Sequence, residues 1–263
     1  MIRRTLVPAL AVGAIALLAA ACSRADSGDS GDSGDRPPVL EALQGRGLEI
    51  VEEFDAGDGL RGFAGVAGQQ PVAVYVTASG AAIVGTRVGA DGEDLDTQRL
   101  QDLVAKPMGE RAWARLEASQ WVRDGREDAP RVVYAFSDPN CPFCNRFWHA
   151  ARPWVESGQV QLRHVMVGVI KADSAAKVAA ILTAPDPAEA MARNERAYAS
   201  GGIAPAAEVP AEVRRTLDAN ESMMMELGFG GTPALVFRDE DGNVQRRSGM
   251  PQGDDLSTVM GPR

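Results

Sequence analysis

An apolar run, Val132-Val133-Tyr134-Ala135-Phe136, stops at Ser137-Asp138-Pro139-Asn140 and passes into Cys141-Pro142-Phe143-Cys144-Asn145 at the head of a helical stretch. A strand that feeds a helix across so short a turn commits the chain to layered packing of helix on sheet. It also sets Cys141 at a helix start, beside backbone N–H groups without partners and at the positive end of the helix dipole. Both favour thiolate over thiol, and the thiolate is the form that attacks sulfur. Cys144 stands one helical turn further on, close enough to form a disulfide. Pro142 at an early helical position costs no hydrogen bond.

That geometry suits a two-step exchange, in which Cys141 forms a mixed disulfide and Cys144 attacks it to release the product. Three other uses of the pair are weaker. A structural zinc site needs four ligands, and His149 and His164 are unsuitably spaced to complete one. A c-type haem site needs histidine after the second cysteine, where Asn145 stands. A purely structural disulfide would close almost no loop and so stabilise little. No cofactor is expected.

The chain has 263 residues and only three cysteines. The third, Cys22, follows Arg3, Arg4 and an apolar run from Leu6 to Ala21 that ends Ala19-Ala20-Ala21. Charged, then apolar, then small is the layout of an export signal, so residues 1–21 are expected to be a signal peptide. Ala21-Cys22 resembles a bacterial lipoprotein junction, with Cys22 as the lipidated residue and a lipid anchor in the membrane; Leu18 sits one position further away than that pattern prefers. Residues 22–38, with their repeated Ser-Gly-Asp unit, form a polar tether with nothing to bury, of end-to-end distance roughly 20 Å. An oxidising compartment favours stapling disulfides, yet only Cys141 and Cys144 remain in the folded part, which points to chemistry rather than architecture. A net charge of −9 and the lack of a basic patch exclude nucleic acid as a partner.

Short apolar or alternating runs at Leu48–Phe54, Leu60–Val66, Val72–Thr77 and Ala82–Val88 predict a small sheet, its last two strands a hairpin turning at Ser79-Gly80. Pro107 breaks the next segment, and Met108–Val122 reads as a helix. A second domain is expected after the charged stretch Arg123–Asp128, with strands Arg131–Phe136 and Val160–Ile170 around the Cys141 helix. Ala172–Leu227 reads as a helical block, in which Asp186-Pro187-Ala188-Glu189 carries a capping signature. Strands Ala234–Phe237 and Val244–Ser248 close an α/β layout with one helical insertion. Gly231-Thr232-Pro233 ahead of the first of them would suit a cis proline; taken alone, an ordinary trans proline is the default. Met223–Met225, Trp148 and Trp154 are expected to pack in the core, His149 on a helix surface and His164 in a strand.

Taken together, EASQWVRDG at 117–125, FSDPNCPFCNRFW at 136–148, ARPWVESGQVQL at 151–162, VGVIK at 167–171, GTPA at 231–234 and GMPQGDDL at 249–256 resemble the DsbC/DsbG family of periplasmic thiol:disulfide interchange proteins, most closely its DsbG-like members. The resemblance implies an α+β and α/β chain. A small N-terminal α+β dimerisation domain (39–104) and a linker helix (105–127) precede a thioredoxin-like catalytic domain (128–263) with a helical insertion at about 172–227. It implies Cys141 as nucleophile, Cys144 as resolving cysteine, their redox-active disulfide, and Thr232-Pro233 as a substrate-binding cis-proline loop. It further implies a homodimer that reduces sulfenylated cysteines or rearranges disulfides in exported proteins, and a DsbD-like membrane reductant. A DsbA-like thiol oxidase and a cleft-type chaperone are the alternatives. Phe143 stands where DsbG-like members carry tyrosine, the strand Arg131–Phe136 lacks the acidic residue of thioredoxin, and a lipid anchor departs from the usual arrangement.

Overall fold

The computed structural model describes residues 36–262, so the signal segment 1–21, Cys22 and nearly all of the tether 22–38 lie outside the described residues. Helix α1 (Pro38–Gln44) leads into β1 (Leu48–Asp55), β2 (Arg61–Ala67), β3 (Gln70–Val76) and β4 (Ala82–Val84). These pair in sequence order as a four-stranded antiparallel meander, with a register shift between Ile50 and Glu52. The predicted turn is present: Thr77 N–H donates to the Ala81 carbonyl at 2.9 Å, and Gly80 adopts a φ of +81°. Leu40, Leu48, Phe63, Val74 and Val76 bury one face of this sheet against α1. Tyr75 and Arg87 both hydrogen-bond Asp96 at 2.8 Å and fasten the long connection that follows β4.

The helix that follows departs from the sequence reading. It begins earlier, as α2 (Thr97–Leu100), passes through a π turn at Gln101–Ala105, and continues as α3 (Lys106–Ala118). Pro107 therefore sits inside a helical run instead of breaking it. A proline ring collides with the carbonyl four residues back in a regular α-helix, and the wider π turn opens the backbone at that point. The run also stops short of Val122. Ser119 turns extended, with ψ 166°, and Val122–Asp124 forms strand β5.

Strand β6 (Arg131–Ser137), helix α4 (Pro142–Glu156) and strand β7 (Val160–Met166) follow. The insertion supplies α5 (Ser174–Leu182), α6 (Pro187–Arg196), a 3-10 turn at Tyr198–Ser200 and α7 (Ala211–Glu226). The chain closes with β8 (Ala234–Arg238), β9 (Val244–Ser248) and α8 (Asp254–Met260), a short helix that the sequence reading did not contain. Five strands form a mixed sheet in the order β5-β7-β6-β8-β9; β6 and β7 are parallel and the other neighbours antiparallel.

Period-two alternation sorts β6 between two cores. Val133 and Ala135 face α4 and α8, meeting Phe147, Ala151, Trp154, Val259 and Met260. Tyr134 and Phe136 face α3 and α7, meeting Leu116, Met223 and Met224. Each such large side chain stabilises the fold by about 1.5–3 kcal/mol when fully buried. The insertion holds a third core of Val178, Ile181, Met191, Val213 and Leu217, set against Val122 and Met166. Asp186 caps α6 as expected, accepting from Glu189 N–H at 3.0 Å. Helix α3 lies against β9 so closely that a Cβ on Gly109 would stand 2.9 Å from the Val244 Cβ. Arg246 on β9 donates to the Gln69 side chain at 2.8 Å and its carbonyl at 2.9 Å, joining the five-stranded sheet to the β2–β3 turn. Among the described residues no helix is long and apolar enough to cross a membrane.

Candidate active site

At the carboxyl end of β6 the turn Ser137–Asn140 reverses the chain into α4. Cys141 is the N-cap residue, extended at φ −81° and ψ 117°, with Pro142 at the first helical position. Its N–H donates to the Asp138 carbonyl at 3.0 Å, and its Sγ accepts the Cys144 N–H at 3.2 Å. Across the gap the Thr232–Pro233 peptide is cis, and the Cys141 thiol donates to the Thr232 carbonyl oxygen at 3.3 Å. Both cysteines are buried free thiols, and the Phe143 ring between them is half exposed under the Arg146 guanidinium. The Thr232 hydroxyl is buried and has no hydrogen-bond partner among the described residues.

The two sulfurs differ in charge preference. A hydrogen bond from the Cys144 side chain, opposed by burial and reinforced by the N–H groups of Cys144 and Phe143, lowers the Cys141 thiol to about 6. Burial, with the neighbouring Cys141 sulfur, pushes the Cys144 thiol well above its ordinary value. Near neutral pH the Cys141 sulfur favours the thiolate and the Cys144 sulfur keeps its proton.

Around the turn lies a buried polar network that the sequence reading missed. The Asp138 carboxylate accepts from the N–H groups of Asn140 (2.8 Å), Val169 (2.7 Å) and Ile170 (2.9 Å) and from the Ser174 hydroxyl (2.8 Å). Asn145, next to Cys144, donates to the Glu195 carbonyl and carboxylate, both at 2.8 Å. Burial raises the Glu195 pKa against the pull of Asn145. One signal was readable: Met191, Asn194 and Glu195 share a face of α6 at helical spacing, which places two polar residues on an apolar stripe.

The remaining candidates are placed as follows. His164 is enclosed in β7, its Nδ1 3.1 Å from the Ser137 hydroxyl and its Nε2 3.4 Å from Asp124. Burial works to raise the Asp124 pKa, but His164 and Arg152 together hold it well below the usual range. His149 is exposed on α4; Trp148 and Trp154 are buried; Met223 and Met224 are in the core while Met225 faces outward. Among the described residues no three His, Cys, Asp or Glu side chains gather where they could hold a metal ion.

A cysteine pair that opens a helix, faced by a cis-proline loop on a mixed sheet with helices on both sides, defines a thioredoxin-like domain, and the thioredoxin-like domain family matches residues 123–261. Among curated proteins, the chain is 44% identical to the thiol:disulfide interchange protein DsbG of Pseudomonas aeruginosa, over 86% of this chain and 89% of that one. It is 39% identical to DsbG of Escherichia coli, over 86% and 91%. Among solved structures, the catalytic domain of Proteus mirabilis ScsC aligns at 22% identity and a TM-score of 0.46, over 57% of this chain and 95% of that one. The chain belongs to the DsbG family.

Proposed function

We propose that this protein is a periplasmic thiol:disulfide interchange enzyme, with Cys141 as nucleophile and Cys144 as resolving cysteine. The observation that carries the reading is the split between the two thiols, one lowered to about 6 and the other raised. The Cys141 thiolate attacks a sulfenic acid on an exported protein, expelling hydroxide and forming a mixed disulfide. Cys144, once deprotonated, attacks Cys141, and the substrate leaves as a thiolate. The substrate sulfur gains two electrons and the pair ends as a disulfide, which a DsbD-like membrane dithiol reduces again. On a disulfide substrate the same two steps give reduction, or rearrangement when the leaving thiolate re-attacks. Thr232 and Pro233 border the sulfur as the substrate-binding loop, where the unpartnered Thr232 hydroxyl is a ready donor to a thiolate.

Residues 39–104 are assigned to dimerisation. Ile83 and Val84 support this, since they lie half exposed on β4 at the edge of the N-terminal sheet. A monomeric mass by light scattering would remove that assignment. Lipidation of Cys22 rests on the sequence alone, and an unmodified Cys22 in the mature chain by mass spectrometry would dismiss it. The test of the activity is mixed-disulfide trapping. Cys144→Ala should accumulate covalent complexes with exported proteins, whereas Cys141→Ser should form none and lose exchange activity. Full exchange by Cys141→Ser would overturn the assignment.

A further inference from the structure

Lys177 stands in the middle of α5 among Ala176, Val178, Ala179 and Ile181, and it is almost fully enclosed. Burying an ammonium group is costly unless its protons are used. Here Nζ donates to the Asn140 side-chain oxygen and to the Gly201 carbonyl, both at 2.7 Å, with Asp173 3.7 Å away. Nothing in the exchange chemistry requires this cation. Its chief partner, however, is the residue immediately before the nucleophile.

Asn140 is held at every polar group. Its N–H donates to Asp138 at 2.8 Å. Its amide nitrogen donates to Asp173 at 2.9 Å and Ser174 at 3.0 Å. Its amide oxygen receives Lys177, and its backbone carbonyl receives the Tyr198 hydroxyl at 3.0 Å. One residue back, the Pro139 carbonyl receives Asn194 at 3.1 Å. Asp173, Ser174, Lys177, Asn194 and Tyr198 all belong to the helical insertion.

We infer that Lys177 is a positioning residue for the nucleophile: from the insertion it locks Asn140 in the orientation that lets Cys141 cap α4 and keep its sulfur on the Cys144 N–H. The inference rests on Cys141 being the nucleophile. A peptide that is fixed on its amino side leaves Cys141 at the extended dihedrals of an N-cap, where the sulfur meets the helix start. Without the ammonium, the Asn140 amide oxygen loses its charged donor in a dry site, and only the bonds from the amide nitrogen to Asp173 and Ser174 still orient the side chain. The cap loosens, and the sulfur ionises less readily. The other titratable and charged groups around Cys141 are Cys144 and Arg146 on α4, Asp138 in the preceding turn, Glu195 on α6 and Tyr198 just after it. The charges of Cys141, Cys144, Glu195 and Asp138 all bear on Tyr198. The cis-proline loop contributes only neutral groups, the Thr232 carbonyl and hydroxyl.

The test follows iodoacetamide alkylation of Cys141 against pH, mapped by peptide mass spectrometry, in the reduced full chain. Wild type, Lys177→Met, Tyr198→Phe and, as a charge control on an exposed residue, Lys171→Met are compared. Lys177→Met should raise the alkylation midpoint by about one pH unit, a tenfold fall in the ionisation constant of the Cys141 thiol. Tyr198→Phe should raise it by less, and Lys171→Met should leave it in place. A purely structural Lys177 would lower the melting temperature without moving the midpoint, and a folded Lys177→Met with the wild-type midpoint overturns the inference. If Lys177→Met does not fold, Tyr198→Phe decides: a rise supports the inference and no change overturns it. A wild-type midpoint like that of free cysteine would instead overturn the nucleophile reading on which the inference stands.

Discussion

At the scale of single residues, an N-cap position and a helix-interior position separate two chemically identical thiols. Cys141 offers its sulfur to a backbone N–H that any N-cap side chain would satisfy, and a thiolate satisfies it best. Cys144 lies inside the helix with little water and no cation to favour its charge. This split carries a pH consequence. A group whose folded pKa lies below its unfolded value adds stability that is present above the unfolded pKa and is lost as pH falls through the folded one. For Cys141 that window runs from about 8.5 in the unfolded chain down to about 6 in the folded one. Cys144 stays protonated through it. The reduced wild type should therefore lose melting temperature relative to reduced Cys141→Ser as pH is lowered from about 8.5 to 6. An offset that stays constant with pH, measured by calorimetry, would contradict this. The sulfur pair was legible because CxxC is a local pattern. Asn140, Lys177 and Glu195 were not, because their roles come from partners up to 58 positions away, as in the Tyr198–Asn140 contact.

At the scale of elements, local pattern read the sheets well and the helix between them badly. The four N-terminal strands and β6, β7 and β8 carry either alternation or unbroken apolar runs, and both survive in the fold. The run α2–π turn–α3 carries a proline that local rules treat as a stop, and only packing reveals why it is tolerated. Leu100, Leu103 and Met108 from that run cover Ala64 and Val66 of the first sheet, so burial outweighs a local interruption. Strand β5 is three residues long and exists by pairing with β7; α8 is seven residues long and is held by two buried side chains, Val259 and Met260. Elements that short hold no period to read. Gly109 makes the packing argument testable. On an open helix surface, Gly→Ala would add about 1 kcal/mol. Here the added Cβ meets the Val244 Cβ at 2.9 Å, and Gly109→Ala should instead destabilise the protein by about 1–3 kcal/mol in chemical denaturation. A stabilised variant would mean that α3 does not press on β9 in solution.

At the scale of the whole molecule, the parts divide the work. The mixed sheet sets the ends of β6 and β8 side by side, which brings Thr232 to Cys141 across 91 positions of sequence. Helices α3, α4, α7 and α8 close its two faces, and the insertion grips the turn that leads into Cys141. Arg246 and Gln69 tie this thioredoxin-like body to the N-terminal meander. Fold, turn and loop converge on a single consequence, the separate ionisation of two neighbouring sulfurs. The most direct measurement is the 240-nm thiolate absorbance of the reduced protein against pH, with Cys141→Ser as the reference. The account predicts one transition near pH 6 that Cys141→Ser lacks, with the second thiol silent until well above pH 9. A first transition no lower than that of free cysteine, at about 8.5, would contradict it.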